Sequence, residues 1–167
     1  MIILKFINLT CVLFICIYLG YYKAKGYENR VIELNKFENS LIMFKSKIEF
    51  TYEPIKNIFE EISKIIYENE ENIFISTINY EKDLSLSWNN STNKINNGLN
   101  NEDKEIIKML GKMLGKTDIK GQVNEINLCI NLVERQLKKA ECEREKNTKL
   151  YRTMGIVLGL GICIILI

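Results

Sequence analysis

The stretch IKGQVNEINLCINLVERQLKKA, residues 119–140, decides the fold. Ile119, Val123, Ile126, Ile130, Val133, Leu137 and Ala140 alternate four and three residues apart, the period that lines one face of a helix. Seven positions in phase specify one long helix. No breaker follows before Met154, so the helix is expected to run on into the uncharged stretch 154–167. Upstream, Asn101 is placed to cap a helix whose first turn holds Glu102 and Asp103, favourable charges there. That helix is expected to bury Ile106, Ile107, Leu110, Met113 and Leu114 and to stop at Gly115 as a C′ glycine. Thr117 or Asp118 then caps the long helix.

Further towards the N-terminus, Leu34, Phe37, Leu41, Phe44 and Ile48 repeat at three and four, and Tyr27 and Val31 extend the stripe backwards. Pro54, the one proline, cannot continue that helix and suits the start of another. The second helix carries Ile55, Ile58, Ile62, Ile65 and Ile66 on one side. In residues 73–88, Ile73, Phe74, Ile75 and Ile78 fit a strand or a short helix; the neighbours favour helix, with Trp88 as a core anchor. Residues 89–101, rich in Asn and Ser, read as a loop.

The two ends set the class. Residues 1–22 are apolar for about 20 positions, enough to span a bilayer as a helix, and Lys5 is the one charge among them. No small-x-small cleavage site follows, so the reading is an uncleaved anchor rather than a signal peptide. Residues 154–167 carry no charge but reach only about 21 Å at 1.5 Å per residue, short of about 30 Å of hydrocarbon. Tyr151, Lys149 and Arg152 sit where interfacial groups belong. Gly155 and Gly159, four apart, share a face on which two membrane helices can approach closely. Lys23, Lys25, Arg30, Arg144, Lys146, Lys149 and Arg152 flank the apolar ends on the inner side of the chain. By the positive-inside rule they place the central region in the cytoplasm. The expected architecture is therefore all-α: a helical bundle, residues 23–152, flanked by transmembrane helices at 1–22 and 153–167, with the last helix running into the membrane.

Composition excludes several functions. The formal net charge is +2 and no concentrated basic face is evident, which argues against nucleic-acid binding. With 0 histidines the commonest general base and zinc ligand are missing. Cys11, Cys16 and Cys163 lie in the apolar ends. Cys129 and Cys142 fall about 20 Å apart on one helix, so they cannot pair, and free thiols are expected. Gly115-Lys116-Thr117 imitates the end of a P-loop, yet Leu110 stands where that loop needs glycine and a helix precedes it. The carboxylate runs 68–71 and 141–143 read as solvated helix faces. No catalytic, metal or cofactor site emerges, and the chain is read as a non-enzyme with no small-molecule substrate.

The run Leu110-Gly111-Lys112-Met113-Leu114-Gly115-Lys116-Thr117-Asp118, followed by Gln122, resembles the L-G-x-x-L-G-x-[ST]-D-x-x-x-Q signature of the stage III sporulation protein AB family. Residues 147–152, then Met154-Gly155 and the terminal Ile164-Ile165-Leu166-Ile167, resemble that family's final membrane helix. Leu41, Ile48, Pro54 and Trp88 fall where the family has similar residues. The likeness is specific over 110–167 and loose over 67–101, where an Asn-rich loop and Ile-rich segments depart from the family's Ala- and Leu-rich habit. The resemblance implies a membrane component of the secretion-like channel between mother cell and forespore in endospore-forming bacteria. It also implies a soluble domain similar to the helical domains of type II secretion platform protein F. The implied partners are other subunits of the complex and an ATPase encoded nearby, and the implied location is the mother-cell membrane around the forespore. On that reading Gly111, Leu114, Gly115, Asp118 and Gln122 form a candidate docking turn, the alternative being that they serve folding alone. A membrane-anchored helical signalling or sensor module is the competing function. It calls for a ligand-binding part across the membrane, which both termini are too short to supply.

Overall fold

A computed structural model describes residues 2–51, 53–78, 83–95, 98–112 and 118–166. Its described elements are helices throughout: α1 (Ile2–Phe50), α2 (Ile55–Ile66), α3 (Ile73–Ile78), α4 (Leu84–Lys94), α5 (Asn101–Gly111) and α6 (Ile119–Leu166). There is no strand among the described residues. The chain divides into two compact units. One comprises Met1–Val31 with Lys139–Ile167, and the other is Ile32–Lys138. Both α1 and α6 contribute to each unit.

In the Ile32–Lys138 unit the five-residue stripe of α1 is buried as its spacing requires. Leu34, Phe37, Leu41, Phe44 and Ile48 all lie in the core. Pro54 occupies the position before α2 with φ −56° and ψ 136°, and its carbonyl accepts from the amides of Asn57 and Ile58. Its fixed φ costs nothing there and its missing N–H is not needed. From α2, Ile58, Phe59 and Ile62 are buried while Ile65 is 59% exposed. The apolar face is thus centred one residue away from where the isoleucines alone place it, because the larger Phe59 claims the core.

Aromatic rings join four helices. Phe44 of α1 packs on Phe59 of α2 at 5.2 Å, Phe59 on Phe74 of α3 at 5.1 Å, and Phe74 edge-on to Trp88 of α4 at 5.4 Å. Trp88 also meets Phe37 and Phe59. Such pairs add about 0.5–1.5 kcal/mol each beyond the area they bury. The indole N–H donates to the Ile107 carbonyl of α5 at 2.7 Å, so the polar atom of a fully buried side chain is satisfied.

α4 continues to Lys94, so the first part of the 89–101 segment is helix rather than loop. Asp83 caps it through Ser85 N, and the hydroxyls of Ser87 and Thr92 donate to the carbonyls four residues before them. Small polar residues can therefore face inward, and Ser85, Ser87, Ser91 and Thr92 are buried. The cap of α5 lies one residue earlier than expected. Asn100 Oδ1 accepts from the Asp103 amide and Asp103 accepts from the Asn100 amide, a complete capping box. Asn72 caps α3 through its side chain alone, accepting from the Phe74 and Ile75 amides while its own side-chain amide donates to Ser63 Oγ and the Glu70 carbonyl. The chain enters that cap through Glu68 and Asn69, both at positive φ.

On α6, Asp118 Oδ1 accepts from the Gly121 amide and is the cap, while Thr117 lies outside the described residues. Along its stripe Ile126, Cys129, Val133 and Ala140 are buried, so Cys129 takes the place expected of Ile130. Its thiol rests against the Ile106 carbonyl, and burial pushes its pKa up to about 12. Cys129 is accordingly expected to stay unmodified by iodoacetamide at pH 8 in the native protein, while exposed Cys142 reacts. Mass spectrometry of the labelled peptides checks this.

The fit between α4 and α5 depends on one glycine. A Cβ at Gly111 would lie 2.2 Å from Trp88 Cδ1 and 2.7 Å from Cγ. Gly111→Ala is expected to destabilise the full chain in detergent by about 1–3 kcal/mol, as overpacking does. The near-ultraviolet signal of Trp88 should melt several degrees lower than in the parent. An unchanged melt would show that the indole can yield.

Candidate functional site

The unit formed by Met1–Val31 and Lys139–Ile167 is an antiparallel pair made from the first part of α1 and the last part of α6. Each of these helices is long and apolar enough to cross a membrane. Only 6% and 11% of their most apolar windows are buried, so these are not core helices of a soluble bundle. Exposed Phe14, Ile15 and Leu19 on α1, and Val157, Leu158 and Ile164 on α6, give the pair an apolar exterior.

The pair closes at glycines. A Cβ on Gly20 would stand 2.6 Å from the Tyr151 carbonyl oxygen and 3.0 Å from Gly155 Cα. A Cβ on Gly155 would stand 2.8 Å from the Cys16 carbonyl oxygen. Gly159 fits against Leu13 and Cys16 in the same way, whereas Gly161 has nothing within 4 Å. Hydrocarbon offers helices no hydrophobic reason to associate, so backbone contact of this kind carries the packing. The partner of the Gly155/Gly159 face is thus α1 of the same chain. Its stripe of Cys16, Gly20 and Ala24, spaced by four, was not singled out from the sequence. The signal was present as small residues at helical spacing, hidden among bulky apolar neighbours.

Beyond the glycines the pair turns polar. Tyr27 stacks on Tyr151 at 5.8 Å. Arg152 pairs with Glu28 at 2.8 Å and lies 5.3 Å over the Tyr21 ring. Arg30, whose side chain is 6% exposed, is neutralised by Glu143 at 2.6 Å. An arginine that deeply buried requires its carboxylate, because removing one partner strands the other charge. These contacts mark where the apolar span ends on both helices, at Lys23 on α1 and at Arg152 on α6.

The residues of the candidate turn are placed unequally. Gly111 is buried beneath Trp88 and Leu110 is buried beside it. Leu114 and Gly115 lie outside the described residues. Asp118 is exposed and caps α6, and the Gln122 amide donates to the Asp118 carbonyl at 2.9 Å. Elsewhere in the Ile32–Lys138 unit, Tyr67 is buried between Phe74 and Lys36, and desolvation holds its phenol protonated far above the usual range. Among the described residues there is no group of three His, Cys, Asp or Glu side chains able to hold a metal ion.

The family model described as stage III sporulation protein AB matches residues 5–167. A solved structure of a stage III sporulation protein AB is similar in fold, with a TM-score of 0.61 at 17% identity, covering 71% of this chain and 98% of that one. No curated protein matches the sequence.

Gly155→Leu is expected to separate the helix pair, because its side chain would meet backbone rather than a movable side-chain tip. Gly161→Leu, in open space, serves as the control. In detergent, the first should lower the melting temperature of the full chain at a cost of about 1–3 kcal/mol, and the second should not.

Proposed function

The chain belongs to the stage III sporulation protein AB family, and from that premise we propose that it is a membrane platform subunit of a secretion-like channel complex between mother cell and forespore, required for endospore development. The family is a sporulation family and not a known enzyme family. A non-enzymatic scaffold accords with a chain whose recognisable residues go to capping, packing and helix pairing. The observation that carries the reading is the helix pair closed at Gly20 and Gly155, which ends in an aromatic and ionic collar. A scaffold needs this fixed attachment, whereas an anchor that merely tethers an enzyme needs one unpaired helix.

The charge distribution supports an orientation. The unit containing the helix pair carries nine Lys and Arg against four Glu, and all but Lys5 lie between the apolar spans and the bundle. The remaining residues carry fourteen against seventeen. Cations at the inner ends of both spans support a bundle on the mother-cell cytoplasmic side. The partners of this reading are the other subunits of the complex and an ATPase encoded nearby, docking at the turn that contains Asp118 and Gln122. Gly111 lets the end of α5 that leads into this region pack directly against Trp88.

Two measurements test this. Asn93, exposed on α4, is a suitable site for a single cysteine, unlike the buried Ser91. In sealed sporulating cells Asn93→Cys should resist an impermeant thiol reagent until lysis, and labelling before lysis would reverse the orientation. Separately, Asp118→Asn keeps a capping side chain, and in combination with Gln122→Ala it should leave the melt unchanged while the other subunits fail to co-purify. Loss of folding in that variant would assign the turn to stability alone.

A further inference from the structure

Next to the Glu28–Arg152 pair, α1 and α6 frame an open recess of about 370 Å³. It is lined by Glu28 from α1 and by Arg144, Glu145, Thr148, Lys149 and Arg152 from α6. Arg144, Thr148 and Arg152 are four apart and so share a helix face, with Lys149 beside them. Arg152 is already engaged by Glu28 and the Tyr21 ring. Arg144 and Lys149 form no ion pair among the described residues. The Thr148 hydroxyl is buried and has no hydrogen-bond partner among the described residues. Such a group normally finds a partner, in protein or out of it. Three cations and two carboxylates leave this lining one positive charge, the complement of one phosphodiester.

Position selects the ligand. Arg152 and Lys149 lie two and five residues from Met154, where the uncharged part of α6 begins, or about 3 and 7.5 Å along the helix. The polar layer on each side of a bilayer is about 5–8 Å deep, so the membrane end of the recess opens at headgroup level. A soluble phosphate would find the same cations but would have no reason to meet them beside an apolar wall. The uncharged stretch of α6 is also short for a span, so headgroups beside it must sink towards the protein.

We propose that this recess binds the phosphodiester of an anionic phospholipid, with Arg144 and Lys149 as its cationic contacts and the Thr148 hydroxyl as a hydrogen-bond donor. The inference rests on the reading of α1 and α6 as membrane helices. Its consequence is a lipid preference seated in one recess rather than spread over the basic surface.

The test uses the full chain in neutral detergent, titrated with phosphatidylglycerol or phosphatidylcholine, with retained lipid counted by native mass spectrometry. Phosphatidylglycerol should bind in preference. Arg144→Gln with Lys149→Gln should weaken it on the order of fivefold for each cation removed. Lys23→Gln with Lys25→Gln removes the same charge nearer the apolar boundary but outside the recess, and should leave binding unchanged. Both variants must melt as the parent does. Equal losses in the two pairs would overturn the proposal in favour of diffuse surface charge. Absence of a preference over phosphatidylcholine would also overturn it, as would displacement of the lipid by inorganic phosphate at matched ionic strength. Failure of the parent protein to co-float with phosphatidylcholine vesicles would overturn the membrane reading beneath it instead.

Discussion

The contact between the Trp88 indole and the missing side chain of Gly111 organises the larger unit. Trp88 touches rings from α1, α2 and α3 and donates to a carbonyl of α5, so one side chain fixes four neighbours. It reaches that position only because α5 presents bare backbone where a methyl group would sit 2.2 Å from the ring. Close-packed interiors transmit such a conflict instead of absorbing it. The caps at Asp83 and Asn100 then set where α4 and α5 begin, and so where the indole and the glycine meet.

The helix pair solves a different problem by the same means. A membrane removes the hydrophobic gain that drives the aromatic cluster together, leaving van der Waals contact and polar bonds. Gly20 and Gly155 supply the first by letting backbones touch, and the Glu28–Arg152 and Arg30–Glu143 pairs supply the second at the polar end. In each unit a glycine is needed for the space it leaves to a partner, not for backbone freedom, since both positions are helical.

Periodicity made the long elements legible. The α1 stripe from Leu34 to Ile48 is buried at every position, and the uninterrupted pattern after Ile119 does become one helix that continues through the apolar end. What composition concealed was mostly local. Residues 89–94 look like a loop because Asn and Ser favour turns, but in α4 the hydroxyls return their bonds to the preceding turn and the residues face inward. Phe59 displaced Ile65 from the core of α2, and Cys129 displaced Ile130 on α6, because near-equivalent apolar neighbours leave the phase of a stripe uncertain by one residue. The partner of the Gly155/Gly159 face was not legible at all. A small-residue stripe says that something approaches, and only the fold says that it is Gly20.

The same distinction divides the family signature around the turn. Leu110 and Gly111 are buried, the first in the core and the second under Trp88, and Asp118 spends its carboxylate on the first turn of α6. These residue types are required by packing and capping whatever the turn binds, so their resemblance to the family carries the fold. Lys112 is exposed at the C-cap of α5, and Gln122 is half-buried in the first turn of α6. Gly111 and Asp118 are therefore accounted for by the fold, which sets how closely α5 meets Trp88 and where α6 begins.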